Sequence, residues 1–397
     1  MAMAELLPLA EWTTRRDLAA LVTALGPGNA RYVGGAVRDT LLGIAVKDID
    51  IATPVEPREV MRRLKAAGIR VIPTGIDHGT VTALLDGGPV EVTTLRHDVA
   101  TDGRRATVAF ASNWQDDAAR RDFTINALYA DPATGEISDW FGGLDDLKAG
   151  RIRFIGDARE RIREDHLRIL RYFRFQARFG SQPADPASET ACAELAATLK
   201  GLSRERVGME IFNLLALPDP APTVARMAEL GVLVVVLPEG DPRPLAALVA
   251  EEQRQNVAPD PLRRLAALLP ADADLAGQVA ARFRLSGAQK KRLISAAGRS
   301  HEIPSPEVDG SKSAHALAYR LGMEQALDRL LLTGTDIAPL IGWTIPIFPL
   351  KGGEIVARGV KAGPEVARIL QAVEAQWVEE GFPEEERVGL LLAEALP

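Results

Sequence analysis

Two aspartates, Asp48 and Asp50, stand two apart in the segment RYVGGAVRDTLLGIAVKDIDIAT at residues 31–53, downstream of the paired glycines Gly34 and Gly35. On a strand, positions i and i+2 share a face, so both carboxylates emerge together while Ile49 and Ile51 supply the buried alternation. Two hard oxygen donors side by side suit Mg2+, which binds through carboxylates and substrate phosphates together. Ions held there would lower the pKa of an attacking hydroxyl and stabilise a pyrophosphate leaving group. Tyr32 and Val33 fit the end of a strand, and the glycines let the backbone turn closely past a ligand. Residues 36–42 then read as a short helix stopped by Gly43, whose free N–H groups attract phosphate. Alone, Asp-x-Asp is most often a solvated strand face and Gly-Gly a turn; in this order and spacing they favour catalysis.

The elements that must position these groups alternate between strand-like and helical over residues 30–150. RYVGG, DIDIAT, GIRVIPTG, GTVTALLDG and VEVTTLR are short, rich in Val, Ile and Thr, and bounded by Gly or Pro. They predict a mixed sheet with helices near 36–42, 56–67 and 115–129. Residues 98–111, with Asp102, Gly103, Arg104 and Arg105, read as a flexible loop beside the sheet. From about residue 157 long Ala- and Leu-rich apolar-periodic segments predict an all-helical second half. The expected division is a catalytic head at 1–150, a helical neck at 151–215 and a helical body and tail at 216–397.

With 397 residues, 47% hydrophobic and 25% charged, the chain is long enough for two or more domains with their own cores. Cys192 is the single cysteine, which excludes an internal disulfide and a cysteine-based zinc site. With no visible signal peptide, the reducing cytoplasm is the simplest home. The longest apolar run, 230–237, is far too short to span a bilayer about 30 Å thick. A net charge of -7 argues against coating nucleic acid through overall charge but permits a local basic groove.

Such a local excess exists. Residues 151–180 hold nine arginines and four acids, a balance of +5, with no lysine. Arginine alone favours forked, planar recognition over diffuse attraction. Wound as a helix, EDHLRILRYFRFQARFG places Ile169, Leu170, Phe173 and Ala177 on one side and Tyr172, Phe175 and Phe179 on another. Asp165 and Arg168, one turn apart, project into one gap; Arg171, Arg174 and Arg178 share the other with Leu167. Arginines in the seams of a buried helix require anionic partners, either a ligand or acids such as Glu160 and Glu164. A carboxylate accepts from an exocyclic amino group and a guanidinium donates to a ring nitrogen. Cytosine and adenine both present an amino donor beside a ring acceptor, so an Asp165 and Arg168 pair would select C and A over G and U without a template.

These residues carry a resemblance to the bacterial class II CCA-adding tRNA nucleotidyltransferase and poly(A) polymerase family. GGAVRDTLLG with DID is similar to the family's metal motif, RRDFTINALYAD at 120–131 to its second, EDHLRILRYFRFQARFG at 164–180 to its nucleotide-selecting motif, and LSRERVGMEI at 202–211 to its last. The stretch at 350–377 resembles a C-terminal element of these enzymes more loosely. The resemblance implies an α/β polymerase-β-like head with a mixed sheet followed by an all-α half. It implies Mg2+ on Asp48 and Asp50, and Gly34, Gly35 and Arg38 against the triphosphate. Arg121 would meet phosphate or ribose, Asp165 and Arg168 the base edge, and Arg171 and Arg174 would complete the pocket. Glu91 sits where the superfamily places a third carboxylate, although it could pair instead with Arg96 or Arg104. The loop at 102–105 resembles one thought to help the switch from C to A. His78, Thr124, Asn126 and the Ser203 helix start read as architectural. His301 and Glu302 lack a second His-Asp pair, against an added phosphohydrolase.

The activity implied is template-independent addition of C, C and A to the tRNA acceptor end from CTP and ATP. Poly(A) polymerase, or a partial enzyme adding only CC or only A, shares the motifs; the acidic end EEGFPEEERVGLLLAEALP argues against the former. A non-catalytic RNA-binding protein would not need intact aspartates, and an antibiotic or protein nucleotidyltransferase would not need the arginine helix. The helical half is expected to clasp tRNA by shape and backbone, with the clusters at 204–206, 263–264 and 290–292 as basic candidates. Whether the protein is a monomer or a homodimer is left open.

Overall fold

The computed structural model describes residues 5–102, 105–110, 113–300 and 310–396. Two compact units emerge, the first formed by Met1–Glu210 with Arg226–Val236 and the second by Ile211–Ala225 with Leu237–Pro397.

The first unit holds a seven-stranded mixed sheet built from β1 (Arg31–Val33), β2 (Ile49–Thr53), β3 (Arg70–Gly75), β4 (Thr80–Leu85), β5 (Gly88–Thr94), β8 (Tyr129–Ala130) and β9 (Ile137–Ser138). Spatial order is β3-β4-β5-β2-β1-β8-β9. The β2 and β5 strands run parallel, with Asp50 opposite Glu91. In β2 the pattern is as the sequence requires: Ile49 and Ile51 are buried and Asp50 is half-buried. Two helices near the sheet also match, α2 (Gly35–Leu41) and α3 (Pro57–Ala66).

Three expectations are corrected. Residues 98–102 and 105–110 are strand rather than loop: β6 (Arg96–Asp102) pairs antiparallel with β7 (Arg105–Phe110). Asp-Gly flanked by Val99, Thr101, Thr107 and Val108 is a hairpin signal; Gly103, Arg104 and Ala111 lie outside the described residues. The helix near 115–129 is only α4 (Trp114–Ala119), followed by a 3-10 turn at Thr124–Asn126 and then β8. The chain leaves the helix because Phe123 bridges to Phe154 and the Thr124 N–H donates to the Arg153 carbonyl at 3.1 Å. Finally, the arginine segment is two helices, with α5 (Gly143–Lys148) before them: α6 (Ala158–Glu164) ends at Asp165, and α7 (Arg168–Phe179) begins after it. Asp165 is extended at φ -150°, and its carboxylate accepts the Leu167 N–H at 3.1 Å, a local bond that competes with helix continuation.

An aromatic cluster fixes α7 to the sheet unit. Phe123 lies 5.0 Å from Phe154 and 5.1 Å from Phe175, and Tyr172 stacks on Phe154 at 5.8 Å. Gly143 opens α5 where any Cβ would stand 2.3 Å from the Thr124 carbonyl oxygen, so only glycine fits.

After Ala158 the described residues hold helices and no strand, as the periodicity predicts. None of the described helices is long and apolar enough to cross a membrane. In the second unit the basic cluster at 263–264 proves to be core. Arg263 pairs with Glu252 at 2.7 Å and Asp328 at 3.0 Å, and Arg264 with Glu252 at 2.8 Å. Arg292 reaches the same Asp328 at 2.6 Å, whereas Lys290 and Lys291 stay exposed. Residues 301–309, with His301 and Glu302, lie outside the described residues.

Glu252→Gln leaves one buried guanidinium network short of a charge and is expected to cost about 3–5 kcal/mol, read by denaturant unfolding.

Candidate active site

Register sets Asp50 of β2 opposite Glu91 of β5, while Asp48, expected on the same strand, is the residue just before β2 begins. Asp48 and Glu91 are exposed and Asp50 half-buried. The pKa of Asp50 is raised, first by burial, then by the negative charge of Glu91 and of Asp48, with Arg121 opposing. Three carboxylates thus share one field, as the sequence predicts for Asp48 and Asp50, and Glu91 faces the acids. Among the described residues no cluster of three or more such side chains is gathered tightly enough to cage an ion. The mutual repulsion of these hard carboxylate oxygens would be relieved by a divalent cation.

Gly34 adopts φ +70°, which favours glycine, and a Cβ there would stand 3.1 Å from Arg121 Nη1. Arg121 donates to the Tyr129 hydroxyl at 2.9 Å, and that hydroxyl donates to Asp117 at 2.5 Å. Burial raises the Tyr129 pKa, with Arg121 opposing and Asp117 adding to it, keeping the phenol a donor. Arg38, which is 6% exposed, donates to Asp39 at 2.7 Å and to Asn126 at 2.5 Å and lies 4.3 Å from the Phe179 ring centroid. Burial lowers its pKa, with Asp39 opposing.

The arginine helix is fully partnered by protein acids here. Arg171 makes a fork on Asp122 at 2.9 and 2.6 Å and stands 3.8 Å from Glu210, which Arg174 holds at 2.7 Å. Arg178 is 3.8 Å from Asp39. Asp122 is held at about 2: burial would raise its pKa, but Arg171, Asn126 and the Phe123 N–H together outweigh that. The Asp165 and Arg168 pair is corrected in geometry. Because the chain breaks between α6 and α7, Asp165 pairs with Arg206 at 2.8 Å, while Arg168 pairs with Glu164 at 2.5 Å and donates to the Arg161 carbonyl at 2.8 Å.

Two groups at this site, Asp122 and Glu210, went unassigned in the sequence, while Asn126 reads there as architectural and Arg206 as part of the basic cluster at 204–206. Arg206 and Glu210 are one turn apart on α9 (Arg204–Leu215), preceded by α8 (Pro186–Leu195), so helical spacing could have found a face carrying both charges. Asp122 and Asn126 stand four apart in RRDFTIN, but no pattern marks them as neighbours of Arg38 and Arg171. The His78 backbone carbonyl accepts from Arg96 at 2.5 Å.

The mixed sheet with acids on adjacent parallel strands is that of a nucleotidyltransferase head. Residues 30–153 match the poly A polymerase head domain, and residues 184–243 match the probable RNA and SrmB-binding site of polymerase A. A human relative, CCA tRNA nucleotidyltransferase 1, mitochondrial, is 35% identical over 376 residues, covering 89% of this chain and 83% of the relative. The CCA-adding enzyme of Limosilactobacillus fermentum is 33% identical over 392 residues, covering 94% of each chain. The crystal structure of the Bacillus stearothermophilus CCA-adding enzyme in complex with CTP has a TM-score of 0.70 and 27% identity, covering 95% of this chain and 96% of that one. The chain belongs to the family of CCA-adding tRNA nucleotidyltransferases and poly(A) polymerases.

Because Asp50 has a raised folded pKa, the fold binds its proton more tightly than the unfolded chain does, and stability falls as pH rises above the ordinary value of 3.8. Without metal, Asp50→Asn is expected to melt a few degrees above wild type at pH 7, the gain shrinking toward pH 4, as read by thermal scans in chelator.

Proposed function

We propose that this protein adds C, C and A to the 3' end of tRNA from CTP and ATP, releasing pyrophosphate, and that it works in the cytoplasm. The observation carrying this reading is the joint presence, in one unit, of the three-acid face and the arginine helix tied to it through Asp122. The near full-length identity to CCA-adding enzymes supports it. In this reading the head spans 1–150, the nucleotide-selecting neck 151–215, and the body and tail 216–397, which hold the tRNA.

Asp48 and Asp50, with Glu91 beside them, would hold two Mg2+ ions, which supply a more acidic attacking hydroxyl and stabilisation of the leaving pyrophosphate. The RNA 3' hydroxyl gives up its proton to solvent, its oxygen bonds to the α-phosphorus, and the bond from that phosphorus to the pyrophosphate oxygen breaks. Arg38 and Arg121 take the triphosphate by forked hydrogen bonds, with Gly34 and Gly35 allowing its close approach. Asp165 and Arg168 leave Arg206 and Glu164 to meet the amino group and ring nitrogen of C or A, and Arg171 and Arg174 flank the base. Each has an acid or base of the protein as its partner until then, so no charge is left unpaired between additions.

Purified protein, tRNA lacking its 3' end and single nucleotides test the proposal. CTP alone is expected to add two residues, and ATP one more only afterwards. A long A tract would reassign the protein to poly(A) addition, and no C incorporation would leave an A-adding enzyme. Asp48→Ala is expected to lower incorporation at least about a thousandfold with tRNA binding retained.

A further inference from the structure

Arg38, beside the glycine turn, and Arg171, on the arginine helix, are joined by two side chains. Arg38 Nη1 donates to Asn126 Oδ1 at 2.5 Å, and Asn126 Nδ2 donates to Asp122 Oδ1 at 2.9 Å. The other Asp122 oxygen accepts both Nε and Nη2 of Arg171, at 2.9 and 2.6 Å. The neighbours fix the amide orientation, since a guanidinium cannot accept and a carboxylate cannot donate. Asn126 is 7% exposed, and its own carbonyl oxygen lies 3.7 Å from where a Cβ on Gly34 would stand.

We infer that Asn126 is a positioning residue that ties the grip of Arg38 on a triphosphate to the setting of Arg171 in the base pocket, so that phosphate engagement sharpens base selection. The chemistry of the side chain is specific. Asparagine presents one acceptor to Arg38 and one donor to Asp122; leucine presents neither, and aspartate would set a second carboxylate against Asp122. A triphosphate draws on the Arg38 donors now spent on Asp39 and Asn126. Any resulting shift of the amide changes how much of Asp122 remains for Arg171, and buried charge-assisted bonds of this kind are strong enough to matter. Linkage makes the effect reciprocal: a base that seats Arg171 well raises triphosphate affinity by the same factor.

The inference rests on the proposed use of CTP, so its test needs no turnover and no tRNA. Equilibrium binding of CTP, UTP, CMP and UMP to the full chain with Mg2+ is compared in wild type, Asn126→Leu and Asn126→Asp. In wild type the CTP to UTP affinity ratio is expected to exceed the CMP to UMP ratio about tenfold, a coupling of about 1.4 kcal/mol. In both variants the two ratios are expected to coincide. Asn126→Asp, which keeps the acceptor for Arg38, is expected to hold triphosphate affinity within about threefold of wild type, and it decides the matter if Asn126→Leu does not fold. A purely architectural asparagine would weaken all four ligands together and leave the wild-type difference in place. That result, or equal ratios in wild type, overturns the inference. Failure to extend tRNA would overturn the proposed activity and leave this measurement readable.

Discussion

A guanidinium taken out of water must meet an anion, and the first unit is organised around satisfying that demand along α7. Holding the half-buried Arg171 and Arg174 against the sheet unit without partners would be costly. Asp122 and Glu210 meet the demand from opposite sides, one from the segment after α4 and one from α9. Because the Arg171 contact is a fork with both bonds on one oxygen, it sets the direction of the side chain as well as its charge balance. The placement of α7 against the sheet, and with it the distance between Asp50 on β2 and the arginines of α7, follows from these pairs and from the Phe123 cluster.

Much of this was legible in the sequence because it is local. Alternation in IDIA, a glycine pair after a short strand and a helix stopped by Gly43 are short-range patterns, and the corresponding elements form where expected. Failures came where a distant group decided the outcome. Residues 120–129 have apolar spacing compatible with a helix, yet Phe154 and the Arg153 carbonyl capture the backbone. Asp165 reads as a helical residue until its own carboxylate caps the next turn.

Charge was the least legible quantity. An excess of +5 over residues 151–180 suggests a surface waiting for a polyanion, but five acids paired with its arginines, Asp39, Asp122, Asp146, Glu194 and Glu210, lie outside that window. The same holds in the second unit, where Arg263 and Arg264 are structural bolts between helices. Sequence reports the sign of a side chain but not its partner. Lys290 and Lys291, by contrast, are exposed.

The parallel pairing of β2 with β5 carries a consequence for how the protein matures. Asp50 and Glu91 are 41 positions apart and meet only after α3, β3 and β4 have been laid down between them. Parallel neighbours cannot be joined by a tight turn, so this contact forms late relative to the β4-β5 hairpin. A slip of one residue would send Glu91 to the opposite face and leave Asp50 beside a valine. The acid face therefore acts as a proof of assembly: a chain able to gather these carboxylates has already threaded its central strands correctly.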